Sequence, residues 1–308
     1  MSASRPGHAS DLRQEADAAM SDAKRRGGNQ LAIFDDIRDD VSVIGSDKRA
    51  ALDRLLAEGH LTTVFQPIWS LADDCLLGVE ALSRPDASYG LASPAEAFDI
   101  AERTGHVHAL DVICVKSALA SAGDLPEGAL LFLNLCPSTV GLDADGNDWL
   151  CAAVGDSGVP VARIVIEVTE RFGGRTTSII KCLHRLRSQG FKIAIDDVGT
   201  GNSGLAMLRE VEVEFVKLDG SIVAAAATEP GARAVLMAIA AFARQTGAFV
   251  IAEGVEDEET LEFLRSMDGT SLRGGAVIQG GQGYGLGRPA TDIPTTLRLP
   301  ARPLPLAA

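Results

Sequence analysis

Residues 62–82 read TTVFQPIWSLADDCLLGVEAL, which is two apolar runs separated by a short polar stretch. The runs cover 62–68 and 75–82, so only the six residues 69–74 connect them. A parallel crossover needs a dozen or more residues, whereas antiparallel neighbours need only a tight turn. The sequence therefore predicts that these two strands pair antiparallel.

Outward from this hairpin, further β-rich runs alternate with helical patterns, as is typical of βα units and a mostly parallel sheet. The eight predicted strands are 62–68, 75–82, 129–135, 163–168, 191–195, 213–218, 249–252 and 276–279. The predicted helices between them are 94–104, 109–122, 176–189, 204–210, 231–246 and 257–267. Eight strands in about 220 residues favour an α/β fold, a TIM-like (β/α)8 barrel with the first strand antiparallel to the rest.

The residues before the barrel have a different character. Residues 1–9 are small and polar, 11–26 show an Ala-rich helical pattern, and 31–34 resemble a short strand. One helix and one strand cannot bury a core of their own. We therefore predict a disordered start with a piece of another domain over 1–40, a linker and helix over 41–55, the barrel over 56–300 and a tail over 301–308.

Composition and charge limit the classes of function. The chain has 308 residues, of which 46% are hydrophobic, and a formal net charge of −14. Binding to a long nucleic acid draws on clustered Lys and Arg, so this charge disfavours it. A small phosphorylated ligand remains compatible, because bound divalent cations can replace basic side chains.

Cysteine usage and the absence of long apolar runs indicate the compartment. The five cysteines are an odd number without Cys-x-x-Cys spacing, which predicts reduced thiols rather than disulfides or a zinc site. The first 26 residues contain no apolar stretch fit for a signal peptide, and the longest apolar run, 234–243, is too short to cross a bilayer. We expect a cytoplasmic location and no membrane partner.

Polar residues interrupt the apolar runs at or just after their carboxyl ends. They are Glu80, Asn134, Glu167, Asp196, Asp197, Lys217, Asp219 and Glu253. In a barrel these ends meet on the face where active sites are assembled. Several carboxylates beside one lysine cannot all be neutralised by protein partners, and oxygen donors of this kind suit Mg²⁺ or Mn²⁺. The pattern predicts a hydrolytic site with paired metals.

The same residues carry a family resemblance. FQPI at 65–68 and GVEALSR at 78–84 resemble the opening of an EAL domain, which is named for its Glu-Ala-Leu triplet. Further motifs follow in family order: LNL at 133–135, EVTE at 167–170, DDVGTG at 196–201, KLD at 217–219, AEGVE at 252–256 and QGY at 282–284. The ordered set spans roughly 56–289, and its order makes it specific although no triplet is specific alone. Residues 16–29 also resemble the last helix and strand of a GGDEF cyclase domain, without the body of that domain.

The resemblance implies a cyclic di-GMP phosphodiesterase that uses two Mg²⁺ or Mn²⁺ ions and releases linear pGpG. One ion would be held by Glu80, Asn134, Glu167 and Asp196, and the second by Asp196 and Asp197 with help from Glu253. The implied catalytic residues are Glu80, Asp197, Lys217 and Glu253. The implied substrate-binding residues are Gln66, Arg84, Asp219 and Gln282, with Asp219 also orienting Lys217. Glu170 would support the loop 198–203.

Departures from the family pattern leave other interpretations open. Val198 and Asn202 replace a phenylalanine and an aromatic residue in a loop that couples the site to dimerisation, and Pro85 replaces a tryptophan. The segment 269–281 is longer than its family counterpart. The alternatives are a non-catalytic cyclic di-GMP receptor and a barrel hydrolase for another phosphodiester. The resemblance also implies a homodimer, and an upstream sensor or GGDEF domain in a longer chain.

Overall fold

The computed structural model describes residues 44–141, 148–169, 176–199, 208–267 and 277–299. The helix predicted over 11–26, the strand predicted over 31–34, Glu170 and Asn202 lie outside these residues. Of the helix predicted over 204–210, only 208–210 are described, and they are helical. Within this part of the chain, no helix combines the length and the apolar character needed to cross a membrane.

Strands and helices alternate along the described chain. The strands are β1 (Leu61–Ser70), β2 (Cys75–Pro85), β3 (Leu130–Asn134), β4 (Ile164–Thr169), β5 (Lys192–Val198), β6 (Phe215–Leu218), β7 (Phe249–Ala252) and β8 (Gly280–Gly281). The α-helices are α1 (Ser46–Glu58), α2 (Pro94–Thr104), α3 (Val107–Ser121), α4 (Pro137–Val140), α5 (Asp148–Ser157), α6 (Thr176–Ser188), α7 (Gly220–Thr228), α8 (Pro230–Thr246) and α9 (Glu258–Ser266).

The eight strands close into a barrel in chain order. β1 pairs antiparallel with both β2 and β8, and every other neighbouring pair is parallel. Gln66 of β1 lies opposite Glu80 of β2 in this register. The TIM-like (β/α)8 barrel with an antiparallel first strand is therefore confirmed.

Helix α2 illustrates how local sequence sets the ends of these elements. Ser93 caps its start, because the Ser93 hydroxyl accepts a hydrogen bond from the Glu96 amide at 3.1 Å. Pro94 occupies the first turn, where a missing amide hydrogen costs nothing. Gly105 ends the helix at φ 76°, a left-handed conformation that favours glycine. The predicted helix 94–104 matches the observed bounds.

The eighth strand lies at Gly280–Gly281, so the prediction of 276–279 is wrong. Val277 and Ile278 are buried, but they pack in the segment that precedes the strand. A Cβ atom at Gly280 would lie 2.7 Å from Cε1 of the Phe249 ring, so only glycine fits beside β7 at this position. Propensity favours apolar branched residues in strands and disfavours glycine, which is why the sequence pointed to the neighbouring residues.

The core has two main layers. Inside the barrel, six strands each contribute a buried side chain: Ile68, Phe132, Val165, Ala194, Phe215 and Ile251. A larger apolar layer fills the space between the outer strand faces and the surrounding helices. A third cluster lies beneath α1, α2 and α3. These apolar side chains fill the inside of the barrel, and the polar side chains lie at the end of the barrel where the parallel strands have their carboxyl ends.

Candidate active site

Nine of the predicted site residues meet at the end of the barrel where its parallel strands have their carboxyl ends. They are Gln66, Glu80, Asn134, Glu167, Asp196, Asp197, Lys217, Glu253 and Gln282. Successive side chains along a strand face opposite sides of the sheet, so only alternate residues point into the barrel. Lys217, for example, points into the barrel from β6 between Val216 and Leu218, which pack in the outer layer.

Lys217 lies at the centre of the group, and its side chain is 1% exposed. Its Nζ is within ion-pair distance of four carboxylates: Glu80 at 3.2 Å, Glu167 at 3.0 Å, Asp196 at 3.5 Å and Glu253 at 2.8 Å. Burial alone lowers the pKa of Lys217, but these carboxylates outweigh it and raise the pKa well above its ordinary value. The side chain is therefore a permanent ammonium group.

Glu80 is the best satisfied carboxylate of the group. Asn134 Nδ2 donates to Glu80 Oε1 at 2.6 Å, and Gln282 Nε2 donates to Glu80 Oε2 at 2.6 Å. Burial raises the pKa of Glu80, yet the Lys217 ammonium and the two side-chain amides outweigh it and lower the pKa. Glu80 therefore stays ionised within the cluster.

Glu167 and Glu253 are less well compensated. Burial, reinforced by neighbouring carboxylates, raises the pKa of Glu167 well above its ordinary value and that of Glu253 to about 7. Glu167 Oε2 has no hydrogen-bond partner among the described residues. A single ammonium group does not balance this many buried carboxylates, so the site has unmet demand for positive charge.

Adjacent aspartates reach the same point because of the backbone at the end of β5. Successive strand residues normally face opposite sides of a sheet. Here the pairing of β5 with β6 shifts register between Ile195 and Val198, and Asp197 has φ 57°. Aspartate tolerates this left-handed conformation better than bulkier residues do. Both carboxylates can therefore turn towards one cluster.

The resulting set of oxygen atoms fits divalent cations. One carboxylate oxygen from each of Asp196, Asp197 and Glu253 lies within 4.8 Å of the others. The donors around them are carboxylates and an amide, and this oxygen-rich chemistry suits Mg²⁺, Mn²⁺ or Ca²⁺. The unsatisfied Glu167 oxygen and the raised pKa values of Glu167 and Glu253 agree with a site built for added positive charge.

A cavity of about 260 Å³ opens beside the cluster. Its wall includes Arg84, Asn134 and, from helix α3, Asp111. Asp111 is buried, and its Oδ2 accepts hydrogen bonds from the Cys136 amide at 3.2 Å and from the Thr139 hydroxyl. Asp111 was not among the predicted site residues. The signal in the sequence was a carboxylate on the apolar face of a predicted helix. An aspartate is almost never fully buried unless it has a partner, so such a position is unusual.

Two predicted site residues, Arg84 and Asp219, lie apart from the cluster. Arg84 is half-buried, lines the cavity, and donates to the Ser83 carbonyl at 3.1 Å. Asp219 caps α7, where its Oδ1 accepts from the Ser221 amide at 2.8 Å, and its orienting effect on Lys217 stays a prediction. Glu170 is outside the described residues, so its support of the loop 198–203 also stays a prediction.

Comparison with known proteins agrees with this geometry. A model of the EAL domain family matches residues 49–279. The cyclic di-GMP phosphodiesterase PdeB of Shewanella oneidensis is 28% identical over 296 residues, which cover 92% of this chain and 33% of that protein. The chain spans about a third to a half of the length of the curated relatives it matches.

Solved structures match the barrel as well. The EAL enzyme Bd1971, bound to cAMP and cyclic di-GMP, superposes with a TM-score of 0.68 at 26% identity, covering 79% of this chain and 65% of that one. BlrP1 of Klebsiella pneumoniae, in complex with calcium and cyclic di-GMP, gives 0.63 at 28% identity, covering 76% and 57%. A manganese complex of BlrP1 gives 0.62. By the extent of the family match, this chain belongs to the EAL domain family.

Proposed function

We propose that the chain hydrolyses cyclic di-GMP to linear pGpG with two Mg²⁺ or Mn²⁺ ions, and so lowers the level of this second messenger. The observation that carries the proposal is the convergence of nine predicted residues on one buried, oxygen-rich cluster with unmet demand for positive charge. The relatives named for cyclic di-GMP, and the related complexes with calcium and manganese, support it.

The chain supplies two groups of metal-binding oxygens in this proposal. Glu80, Asn134, Glu167 and Asp196 would hold one ion, and Asp196, Asp197 and Glu253 the other. Such ions, when bound, polarise a phosphodiester and lower the pKa of a bound water towards neutrality. The buried cluster keeps these oxygens in place before any substrate arrives, so little reorganisation is required during the reaction.

The remaining residues bind and orient the substrate. Lys217, a permanent ammonium at the centre, would donate a hydrogen bond to a reacting phosphate oxygen or to the attacking water. Arg84, on the cavity wall, would pair with the second phosphate of the cyclic dinucleotide. Gln282 donates to Glu80 and to Gln66, and so fixes the amides that face the ligand.

The wider organisation belongs to the same proposal. Residues 1–40 would be the end of a GGDEF-like domain, and a longer chain would join it to a sensor. The protein would act as a cytoplasmic homodimer. Size-exclusion chromatography with light scattering, with and without cyclic di-GMP, measures the oligomeric state directly.

A hydrolysis assay tests the proposal. Purified protein with Mg²⁺ or Mn²⁺ should convert cyclic di-GMP to pGpG, and Glu80→Ala should lower turnover by more than about 100-fold, since even outer supporting residues of metal sites often matter 10- to 100-fold. Glu262→Ala, an exposed carboxylate on α9, is the matched control and should leave turnover unchanged. Near-UV circular dichroism checks that both variants are folded.

Other outcomes identify the alternatives. Binding of cyclic di-GMP by the metal-loaded wild type without release of pGpG would make the chain a receptor. Turnover of a different phosphodiester in a substrate panel, with cyclic di-GMP untouched, would make it a hydrolase of another specificity. Either result contradicts the proposed reaction.

A further inference from the structure

Glu214 connects three neighbouring strands at the amino end of the barrel, which is the end opposite to the candidate active site. It lies immediately before β6. Its backbone amide donates to the Ile193 carbonyl of β5 at 3.0 Å, and its carbonyl accepts from the Phe249 amide of β7 at 2.8 Å. The opposite ends of these three strands supply four of the proposed site residues: Asp196, Asp197, Lys217 and Glu253.

The side chain of Glu214 adds a further bond to β5. Its Oε2 accepts a hydrogen bond from the Ile193 amide at 2.8 Å. Its Oε1 accepts from Nε and Nη2 of Arg187, at 3.1 and 2.8 Å, and Arg187 belongs to the last turn of α6. The Arg187 and Glu214 side chains are 28% and 27% exposed, so solvent screens this charge-assisted pair only in part. Helix α6 thus holds the carboxylate against β5.

The register between β5 and β6 is regular over a short stretch. Residues 194–195 pair with 215–216, and the register then shifts before Val198. The two proposed metal ligands of β5 lie within this irregular part. The Ile193 amide comes just before the regular pairs, so the Glu214 carboxylate extends the paired region at its amino end.

The two bonded residues are close to the site along their own strands. Ile193 precedes Asp196 by three positions on β5, and Glu214 precedes Lys217 by three positions. At about 3.3 Å per residue, each separation is about 10 Å. Lys217 Nζ and Asp196 Oδ1 lie 3.5 Å apart. A shift of β5 against β6 would change this distance, because close-packed interiors transmit strain.

We infer that Glu214, held by Arg187, is a positioning residue that sets the register of β5 and β6 and so places Asp196 against Lys217. The inference rests on the proposed function, in which Asp196 binds metal and Lys217 donates to a reacting oxygen. Glu214 itself touches no reacting atom. A misplacement of about 1 Å caused by a distant substitution can cost about 100-fold in rate.

Kinetics with cyclic di-GMP and titration with Mn²⁺ test this role. Glu214→Ala should lower kcat roughly ten-fold and raise the Kd for Mn²⁺ roughly ten-fold, the lower end of the range for residues that support metal ligands. KM should change by less than about two-fold, because an interaction that acts only in the transition state affects kcat. Arg84, the proposed phosphate-binding residue, lies on β2 and keeps its place.

Two further variants identify the bond that matters. Glu214→Gln keeps an oxygen that can accept from the Ile193 amide, so kcat and Kd should stay within about three-fold of wild type. Glu212→Ala is the matched control, since Glu212 pairs with the same Arg187 guanidinium at 2.7 Å and is 82% exposed. It should behave as wild type. An equal loss in Glu212→Ala and Glu214→Ala would contradict the role of the bond to β5.

The Kd for Mn²⁺ separates positioning from loss of folded protein. Partial unfolding raises the apparent Kd only by the inverse of the folded fraction, and near-UV circular dichroism measures that fraction without metal. A ten-fold rise in the Kd of folded Glu214→Ala would therefore report displaced ligands. A lower kcat with the wild-type Kd would show that Glu214 only supports the fold, and would overturn the inference.

The two proposals fail in different ways. If wild type cleaves cyclic di-GMP and Glu214→Ala has the wild-type kcat and Kd, the positioning role is wrong and the proposed function stands. If wild type binds Mn²⁺ without cleaving cyclic di-GMP, the proposed function fails, and the Kd of Glu214→Ala still decides whether Glu214 places the ligands. If wild type neither binds Mn²⁺ nor cleaves cyclic di-GMP, both proposals are wrong.

Discussion

Asp111 is a carboxyl group on an otherwise apolar face of helix α3, and it is 1% exposed. Burial raises its pKa to about 7, although the hydrogen bonds from Thr139 and Cys136 oppose the shift. An aspartate in an unfolded chain has a pKa of about 3.9. The native carboxyl therefore binds its proton more tightly than the unfolded one does. The contribution of Asp111 to stability is therefore most favourable below about pH 4, falls as the pH rises to about 7, and is constant above that value.

The variant Asp111→Asn should remove this dependence. Its amide oxygen can accept the two hydrogen bonds that Asp111 Oδ2 accepts, and it does not ionise. Between about pH 4 and pH 8, the wild-type free energy of unfolding should fall by a few kcal/mol relative to that of the variant, since each pKa unit is worth about 1.4 kcal/mol.

Denaturant unfolding of both proteins across this pH range measures the difference, and the subtraction cancels the titration of other groups. Asp124→Asn, at an exposed aspartate, is the control and should follow the wild type at every pH. Parallel curves for wild type and Asp111→Asn would show that the Asp111 carboxyl has an ordinary pKa.

Single residues of the site differ in how much the sequence reveals about them. Glu80, Asn134 and Glu167 were predictable because strand order and barrel closure place the carboxyl ends of all the parallel strands on one face. Asp111 was not predicted to line the cavity, since it comes from a helix. Its position depends on packing contacts, such as its hydrogen bonds with Cys136 and Thr139, which no periodic pattern encodes.

At the scale of elements, Gly78 sets the spacing between β2 and β3. It pairs with Leu130, and a Cβ atom on Gly78 would lie 2.4 Å from the Leu130 carbonyl oxygen. That oxygen belongs to the backbone and cannot move without separating the two strands. Further along the same pair, Glu80 and Asn134 are joined by a hydrogen bond at 2.6 Å. The absence of a side chain at Gly78 therefore helps to align two proposed metal ligands.

The variant Gly78→Ala should lower the free energy of unfolding by about 1–3 kcal/mol, the usual range for overpacking a core. It should also weaken Mn²⁺ binding, because the two ligands shift relative to each other. Calorimetric melting and titration measure both effects.

Gly155→Ala is the matched control. Gly155 lies on the exposed side of helix α5, and nothing is within 4 Å of a Cβ atom there. This substitution should stabilise the protein by about 0.5–1 kcal/mol, because alanine favours a helix more than glycine does. Unchanged stability and Mn²⁺ binding in Gly78→Ala would mean that β2 and β3 tolerate the extra methyl group.

Elements with strong periodicity were predictable, and elements defined by contacts were not. Helix α2 matched its predicted bounds because Ser93, Pro94 and Gly105 mark both ends. Helices α4, α5 and α7 were absent from the prediction, and two of them are short or alanine-rich segments with little amphipathic character. β8 consists of two glycines, so its place is fixed by the space that Phe249 and Leu71 leave, and not by strand propensity.

Closure of the barrel brings the proposed ligands together. The proposed ligands come from β2, β3, β4, β5 and the end of β7, and residues more than 170 positions apart in the chain meet around Lys217. No two or three neighbouring strands hold the full set. Metal binding should therefore be linked to the folding of the complete barrel, because the unfolded chain cannot bring these oxygens together.

This linkage predicts that Mn²⁺ stabilises the protein as a whole. At a free concentration of about 100 Kd, one ion that binds only the native state adds about 2.7 kcal/mol to the free energy of unfolding. Asp196→Asn should lose most of this increment, since Asp196 belongs to both proposed metal groups and to the oxygen cluster with Asp197 and Glu253. Asp124→Asn, an exposed substitution of the same kind, should keep it. Thermal unfolding with EDTA and with Mn²⁺ measures the increment in each protein. If Mn²⁺ raised the free energy of unfolding equally in wild type and Asp196→Asn, the ion would bind elsewhere. That result would contradict the proposed paired-metal site.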